Sequence, residues 1–343
     1  MNHRVALNFE DGVTRFLAVR PNETIADAAY RDRINIPVDC RDGACGTCKS
    51  RCESGTYENG GYLDEALSAE EASEGFCLPC QMRPTGDCVL QIPASSAACK
   101  IQLRRIQTTI EDLQFPSPST IVLQVRLTPD DAAALQYLPG QYVHLEIPGT
   151  SVRRAYSFST APGSPTAKFL IRRIPGGAMS TFLGENAKVG GQISLLGPYG
   201  SFYLRTVERP VIMLAGGTGL APFLSMLAHL SALGSALDSP IHLVYGVTND
   251  VDLVEVDTLE HLAATLPGFT FATCVASSET KHPRRGFVTG HLPFQALQES
   301  ATDAYLCGPP PMVEAVRNEF MKRSIVTKNF YYEKFAPSEE VSR

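Results

Sequence analysis

The feature that most constrains this chain is the ten-residue stretch DCRDGACGTC, at residues 39–48. It holds three cysteines, with two glycines and an alanine between them. Glycine permits left-handed backbone and close approach, so such a loop can wrap tightly around a compact group. Eight of the ten cysteines lie at or before Cys99. Because clustered cysteines in a reducing compartment favour a metal or redox site over disulfides, the stretch predicts a metal–sulfur centre.

The cysteine spacing allows two kinds of metal centre. Cys40, Cys45 and Cys48 have the C-x4-C-x2-C spacing of plant-type 2Fe-2S loops, whose fourth cysteine follows further on. Cys77 and Cys80 both qualify as that fourth ligand. Alternatively, the pairs Cys45-x2-Cys48 and Cys77-x2-Cys80 match a zinc site built from two knuckles, but Cys40 is then idle. The residues therefore favour iron and sulfur over zinc. The other cysteines of this region are expected to be buried as small apolar side chains: Cys52, Cys88 and Cys99.

The length and composition predict a soluble protein of several domains. A chain of 343 residues exceeds the roughly 100 to 200 residues of one domain. Hydrophobic residues make up 44% of it and charged residues 19%, as in ordinary globular proteins. No apolar run approaches the ~20 residues of a membrane span, and the opening MNHRVALNFEDG is too polar for a signal peptide. We therefore expect a cytoplasmic protein that does not bind a membrane.

Charge is distributed unevenly along the chain. Residues 1–97 hold 9 Lys and Arg against 15 Asp and Glu, whereas the remainder holds 21 of each. An acidic module on a neutral body argues against nucleic-acid binding and suits docking to a basic protein surface. A merely solvated acidic face explains the same numbers.

The hydrophobic patterns predict three regions. In the first, VALNFEDGVTRFLAV reads as a hairpin about Asp11 and Gly12, and ETIADAAYRDRI as a short helix. Residues 93–100, PASSAACK, are small and polar and look like a linker. Residues 101–207 predict an antiparallel β-barrel with one helix at MSTFLGENA; its strands are TIVLQVRL, QYVHLEI, AYSFS, FLIRRI and QISLL. From Pro210 strands alternate with helices, which indicates a parallel sheet covered by helices.

Two stretches of the second region suit a flavin nucleotide. In RRAYSFS, Arg154 and Tyr156 share one face of a strand. An arginine forks onto a pyrophosphate, and a tyrosine ring suits the face of an isoalloxazine. In IPGGAMSTFL, Gly176 and Gly177 precede a predicted helix start that includes Ser180, where amides and the helix dipole attract phosphate.

The third region contains a glycine turn, AGGTGLAPFLSML, directly after the strand PVIML. Its glycines Gly216, Gly217 and Gly219 would let backbone amides approach a pyrophosphate. The turn departs from the G-x-G-x-x-G fingerprint, so an ordinary turn remains an alternative. After the next strand, residues 248–252 contain two aspartates where a 2′-phosphate would require Arg or Lys. This favours NADH, although Arg284 and Arg285 could fold back toward the site.

These motifs resemble known families. DCRDGACGTC together with LPCQ at residues 78–81 resembles plant-type ferredoxins, whose fourth ligand directly precedes such a glutamine; this implies Cys80. The R-x-Y-S run, the glycine pair and GPYG at residues 197–200 resemble the FAD domain of the ferredoxin–NADP reductase superfamily, with FMN as the alternative. AGGTGLAP and CGPPPM at residues 307–312 look like the nucleotide signatures of that superfamily, and Phe335 in YYEKF matches its flavin-stacking aromatic, although a core aromatic on a strand fits as well.

The resemblance implies three sets of site residues. The metal ligands are Cys40, Cys45, Cys48 and Cys80. The cofactor-binding residues are Arg154, Tyr156, Ser157, Gly176, Gly177, Ser180, Gly216, Gly217, Thr218, Gly219, Cys307, Gly308 and Phe335. The catalytic positions are Ser157, Cys307 and Phe335.

Taken in order, the three regions resemble the reductase component of bacterial aromatic-ring dioxygenases of the benzoate and anthranilate type. This implies an α+β, β-grasp-like ferredoxin domain at 1–97, an antiparallel β-barrel FAD domain at 101–207 and an α/β parallel-sheet NAD domain at 208–336. It also implies electron transfer from NADH through FAD and a 2Fe-2S cluster to an oxygenase component with its own redox centre. The alternatives are a monooxygenase reductase, a stand-alone NADH oxidase, or a zinc-stabilised interaction module fused to a flavoenzyme.

Overall fold

The computed structural model describes residues 2–234, 237–293, 297 and 301–335. The chain divides into two compact units. The first comprises Met1–Leu103 with Pro198–Ser201, and the second comprises Arg104–Gly197 with Phe202–Arg343. Within the described ranges, none of the helices combines the length and the apolarity that a membrane crossing requires.

The first unit is a mixed sheet with short helices. Its five strands lie in the order β2-β1-β7-β3-β5, with β4 and β6 as a separate pair. The predicted hairpin is confirmed: β1 and β2 are antiparallel, and Gly12 turns the chain with a φ of +76°. The predicted helix is confirmed as the shorter α1, which Thr24 caps. In chain order the elements are β1 (His3–Phe9), β2 (Thr14–Val19), α1 (Ile25–Arg31), β3 (Ser50–Ser54), β4 (Tyr57–Glu58), α2 (Ala69–Ser73), β5 (Phe76–Cys77), β6 (Arg83–Pro84) and β7 (Cys88–Ile92).

The segment that looks like a linker is packed onto this first unit. Ala94 and Cys99 are buried, and the Glu10 amide donates to the Ala94 carbonyl oxygen at 3.1 Å. Both the amide and the hydroxyl of Ser96 donate to the Asp11 carboxylate. The small side chains of residues 93–100 allow this close packing. The division between the two units falls after Leu103. The domain bounds given above remain predictions.

The second unit begins with a six-stranded sheet in the order β11-β10-β13-β8-β9-β12. A bridge between Phe158 and Phe169 joins the two ends of this order and closes the barrel. The sequence reasoning missed the longest strand, β8, and the helix α3. The predicted nine-residue helix is the single turn α4, which continues as a π-helical turn at Phe182–Asn186. The elements are β8 (Arg104–Ser117), β9 (Thr120–Arg126), α3 (Pro129–Ala134), β10 (Tyr142–Glu146), β11 (Arg153–Ser157), β12 (Thr166–Arg172), α4 (Ala178–Thr181) and β13 (Gln192–Tyr199).

The rest of the second unit is a five-stranded parallel sheet in the order β16-β15-β14-β17-β18. Alternate residues of β14 enter different cores: Met213 packs with α5 and α6, and Leu214 packs with α7. Both faces are therefore covered, as the alternation of strands and helices predicts. The elements are β14 (Val211–Gly216), α5 (Ala221–Ala232), β15 (Ile241–Val247), α6 (Val256–Thr265), β16 (Phe269–Val275), β17 (Asp303–Gly308), α7 (Pro310–Lys322) and β18 (Asn329–Lys334).

The strand order of the parallel sheet indicates at which edge of the sheet a ligand binds. The chain starts in the central strand β14, proceeds outward to β15 and β16, and then crosses to β17 and β18. Ligands of such open sheets bind in the crevice at the carboxyl ends of the strands, where the order reverses. That crevice lies at the ends of β14, β15 and β17.

Candidate functional site

Four thiols of the first unit gather into one set. The Cys48 Sγ donates to the Cys80 Sγ at 3.3 Å, and the Cys45 amide donates to the Cys40 Sγ at 3.4 Å. Hydrogen bonds from the Cys45 and Cys80 thiols lower the pKa of Cys40. The structure thus brings together the four cysteines that the resemblance to plant-type ferredoxins implies as ligands, and their mutual contacts favour the thiolate on one of them.

The Cys77 thiol has a different environment from the Cys80 thiol. It is fully buried and directs its Sγ toward the Ser50 carbonyl oxygen, at 3.5 Å. Burial raises its pKa, and burial likewise raises the pKa of Cys88 to about 11. The two thiols thus differ in their contacts: Cys77 is directed at a backbone carbonyl oxygen, whereas Cys80 contacts Cys48.

The loop around the thiol set depends on glycine. Gly43 and Gly46 have φ angles of +84° and +71°. A Cβ added at Gly43 would lie 2.5 Å from the Gly61 carbonyl oxygen, so no larger residue fits there. The Gln81 Nε2 donates to the Arg41 carbonyl oxygen at 2.9 Å, and it fastens the loop from the residue that follows Cys80.

This loop fits a small iron–sulfur group. Its four thiols converge, and its glycine backbone can approach closely. Over the ranges that the structure describes, no three or more His, Cys, Asp or Glu side chains are arranged to hold a single metal ion.

The barrel places Arg154 and Tyr156 on the same face of β11. Both are half-buried, and the Tyr156 ring packs against the barrel core. Burial raises the Tyr156 pKa, and the nearby Arg154 charge opposes this rise. The Arg154 guanidinium donates to the Arg153 carbonyl oxygen at 2.8 Å. The two side chains are thus close enough to meet one ligand, as the sequence indicates.

The glycine pair lies in the turn before α4. Gly176 has a φ of +70°, and Gly177 is the residue before the first turn of the helix. The Ser180 hydroxyl accepts a hydrogen bond from the Ile174 amide at 2.8 Å and closes this turn. Ser180 therefore shapes the loop, in addition to any contact that it makes with phosphate.

The two predicted nucleotide motifs lie against each other at the carboxyl edge. A Cβ at Gly219 would lie 2.4 Å from the Cys307 carbonyl oxygen, and one at Gly216 would lie 2.4 Å from the Met312 Sδ. A Cβ at Gly308 would lie 2.8 Å from the same Met312 Sδ. Gly217 has a φ of +55° and no neighbour within 4 Å of a Cβ position. The glycines thus have two roles. Gly216, Gly219 and Gly308 allow the two motifs to pack closely, and Gly217 leaves the backbone open at the turn, which also includes Thr218.

Ser157, Cys307 and Phe335 come together through Glu333. The Ser157 Oγ donates to the Glu333 Oε2 at 3.4 Å, and Cys307 pairs with Glu333 across β17 and β18. Burial and then the Glu333 charge raise the pKa of the fully buried Cys307. The Phe335 amide donates to the Gly308 carbonyl oxygen at 2.9 Å. The sequence reasoning missed Glu333, a single acid in YYEKF whose partner Ser157 is distant in sequence.

Arg284 and Arg285 lie beside the carboxyl end of β16, where the Val275 amide donates to the Arg284 carbonyl oxygen at 3.1 Å and Val275 bridges to Arg285. Burial, and then the Arg284 charge, lower the pKa of His242, which lies near the amino end of β15. The loop itself follows the carboxyl end of β15. The Arg284 backbone is thus at the same edge of the sheet as the loop, and its charge also acts on His242. The NADH preference inferred from this loop stays a prediction.

Three family models match the chain in the expected order. A 2Fe-2S iron-sulfur cluster binding domain matches residues 8–85, an oxidoreductase FAD-binding domain matches residues 107–203, and an oxidoreductase NAD-binding domain matches residues 213–318. The predicted 2Fe-2S, FAD and NAD modules are confirmed by these matches.

Known proteins resemble the whole chain. It is 51% identical to the toluate 1,2-dioxygenase electron transfer component of Pseudomonas putida, over 98% of this chain and 100% of that protein. It is 48% identical to the 2-halobenzoate 1,2-dioxygenase electron transfer component of Burkholderia cepacia, over 98% and 99%. The crystal structure of an Amycolatopsis cytochrome P450 reductase superposes with a TM-score of 0.72 at 29% identity, over 98% of this chain and 100% of that one.

Proposed function

Because this chain belongs to the family of electron transfer components of aromatic-acid 1,2-dioxygenases, we propose that it delivers electrons from NADH to the oxygenase component of such a system. The observation that carries the proposal is the joint presence of the four-thiol set and the Ser157–Glu333 contact beside Cys307. The first suits a one-electron carrier, and the second lies at the edge where a nicotinamide would bind. A hydride source and a one-electron outlet on one chain define a reductase of this kind.

The cofactors supply the electron chemistry. When bound, FAD accepts a hydride and releases electrons singly, and a 2Fe-2S cluster carries one electron at a time. Cys40, Cys45, Cys48 and Cys80 would hold the iron atoms as thiolates. The glycines of their loop bring backbone amides toward the sulfurs, which stabilises the added negative charge.

The residues of the second unit would hold and orient the two nucleotides. Arg154 would fork onto the FAD pyrophosphate, and Tyr156 would lie on the flavin ring. Glu333 keeps the Ser157 hydroxyl in place at the mouth of the crevice. Cys307 forms the buried floor behind it, and Phe335 covers the position next to Gly308. These groups would exclude water and hold the two nucleotides in place, and such positioning is the protein's main contribution to hydride transfer.

Purified protein should therefore contain about two irons and two acid-labile sulfides per chain together with one FAD. It should catalyse NADH-dependent reduction of both ferricyanide and cytochrome c. Stoichiometric zinc without labile sulfide would contradict the proposal. Reconstitution distinguishes the partners: turnover with an aromatic-acid oxygenase component supports the proposal, whereas turnover only with a monooxygenase hydroxylase favours the alternative.

NADH should be the preferred donor, with a kcat/KM about tenfold or more above that for NADPH. The loop at residues 248–252 offers two aspartates and no cation. A 2′-phosphate there would meet like charges, and a difference of only about 1.4 kcal/mol gives tenfold discrimination. Steady-state kinetics with ferricyanide measure both constants. Equal constants would mean that another cation, such as Arg285, supplies the missing contact.

A further inference from the structure

The two aspartates of the nucleotide loop are held in different ways. Asp252 is half-buried and uses both carboxylate oxygens within the protein. Its Oδ1 accepts from the Ser119 hydroxyl at 2.5 Å, and its Oδ2 accepts from the Asn249 amide at 3.2 Å. Ser119 lies in the turn between β8 and β9, so the barrel fixes this carboxylate. Asp252 therefore serves the structure of the loop.

Asp250 is exposed, and its carboxylate is held from one side only. The Thr280 hydroxyl donates to the Asp250 Oδ1 at 2.6 Å. No other hydrogen bond to this carboxylate is found among the described residues, and Asp250 follows the carboxyl end of β15. Asp250 thus combines a fixed orientation with an available acceptor.

Thr280 is built into the protein to make this contact. Only 2% of its surface is exposed, and its hydroxyl also accepts from the His282 amide at 3.0 Å. Because the His282 amide and the Asp250 carboxylate are respectively a donor and an acceptor, the Thr280 hydroxyl accepts from the amide and donates its proton to Asp250. The loop that contains Thr280 is itself tied to the nucleotide loop, since the Ser277 amide donates to the Thr248 carbonyl oxygen at 2.9 Å. A buried hydroxyl with both functions satisfied is a rigid support.

We infer that Thr280 is a positioning residue for nucleotide specificity: it orients the Asp250 carboxylate to accept hydrogen bonds from the vicinal hydroxyls of the adenosine ribose of NADH. The inference rests on the proposed function. An exposed aspartate loses rotamer freedom when it binds a diol, and a support that fixes it beforehand reduces that loss. The same fixed charge faces the place where NADPH carries its 2′-phosphate.

The test compares Thr280→Val with Thr280→Ser in the full-length holoenzyme. Valine keeps the shape and removes the hydroxyl, whereas serine keeps the hydroxyl. Thr280→Val should raise the KM for NADH about fivefold, as expected for the loss of one hydrogen bond. The kcat and the constants for NADPH should stay within about twofold of the wild type, and Thr280→Ser should restore the KM. Calorimetry should show the same difference: Thr280→Val should bind NAD⁺ more weakly than the wild type and NADP⁺ equally well.

Further variants separate positioning from a structural role. Asp250→Asn should raise the KM for NADH as Thr280→Val does. The double variant should raise this KM little further, because the two residues act as one unit. Thr270→Val is the matched control: its hydroxyl contacts His242 at 2.8 Å at the amino end of the sheet, so the NADH constants should not change.

Three outcomes would overturn the inference. These are a Thr280→Val protein with an unchanged KM for NADH, one with a KM raised equally for both nucleotides, and an effect of Thr280→Val that is additive with that of Asp250→Asn. A wild-type protein that binds NADP⁺ as tightly as NAD⁺ would instead contradict the proposed NADH preference, and the inference with it.

Discussion

Replacing Cys80 with serine should abolish the iron–sulfur signature and reduce cytochrome c reduction to the background rate, while FAD content and NADH-dependent ferricyanide reduction persist. Cys80 contacts Cys48 directly and lies within hydrogen-bonding range of Cys40, so its replacement removes the thiol that links these two. A serine hydroxyl does not ionise as a thiol does and is a poor substitute ligand for iron. The flavin and nucleotide residues are all in the second unit and keep their contacts. Iron and sulfide analysis, visible spectra and two acceptor assays measure the four quantities.

Cys77→Ser and Cys88→Ser are the matched controls for this variant. Both thiols belong to the same unit, but each donates to backbone carbonyl oxygens outside the four-thiol set. These variants should keep iron, sulfide and cytochrome c reduction. A Cys77→Ser protein that loses its iron, beside a Cys80→Ser protein that keeps it, would move the fourth ligand to Cys77.

The regular patterns in the sequence predicted the corresponding parts of the fold. The hairpin about Gly12 and the parallel sheet have strong alternation and clear turns, and both are confirmed. β8 was missed for a physical reason. Its pairing with β9 is interrupted between Ile110 and Asp112 and again between Gln114 and Ser117, so the period-two pattern is broken twice. A strand with such bulges does not show the alternation on which its prediction depends.

The site residues also divide into those that the sequence predicted and those that it missed. Motifs of adjacent residues, such as the cysteine loop and the glycine turn, were visible from spacing. Glu333 and Thr280 were not, because each acts on a residue distant in sequence: Glu333 on Ser157 and Thr280 on Asp250. A lone acid or a lone threonine carries no local signal of this kind. Such supporting contacts become visible only when the fold brings the partners together.

A chain that starts at Lys100 should fold, bind FAD and reduce ferricyanide with NADH, but it should lose cytochrome c reduction and all electron delivery to an oxygenase component. The start precedes β8, so all strands of the barrel and of the parallel sheet remain. The four thiols are removed together, and with them the route for single electrons. The segment Pro198–Ser201 groups with the first unit, so circular dichroism and flavin content must establish that the shortened chain is folded.

The full-length Cys80→Ser protein is the control that separates electron transfer from docking. Both proteins lack the iron–sulfur group, but only the shortened chain also lacks the acidic module, with its 15 Asp and Glu against 9 Lys and Arg. If that module docks to a basic partner surface, Cys80→Ser should still bind the oxygenase component, and added salt should weaken this binding. The shortened chain should show neither the binding nor its dependence on salt. A folded, flavin-loaded short chain that reduces cytochrome c at the full-length rate would place the exit for electrons at the flavin and contradict the proposed path.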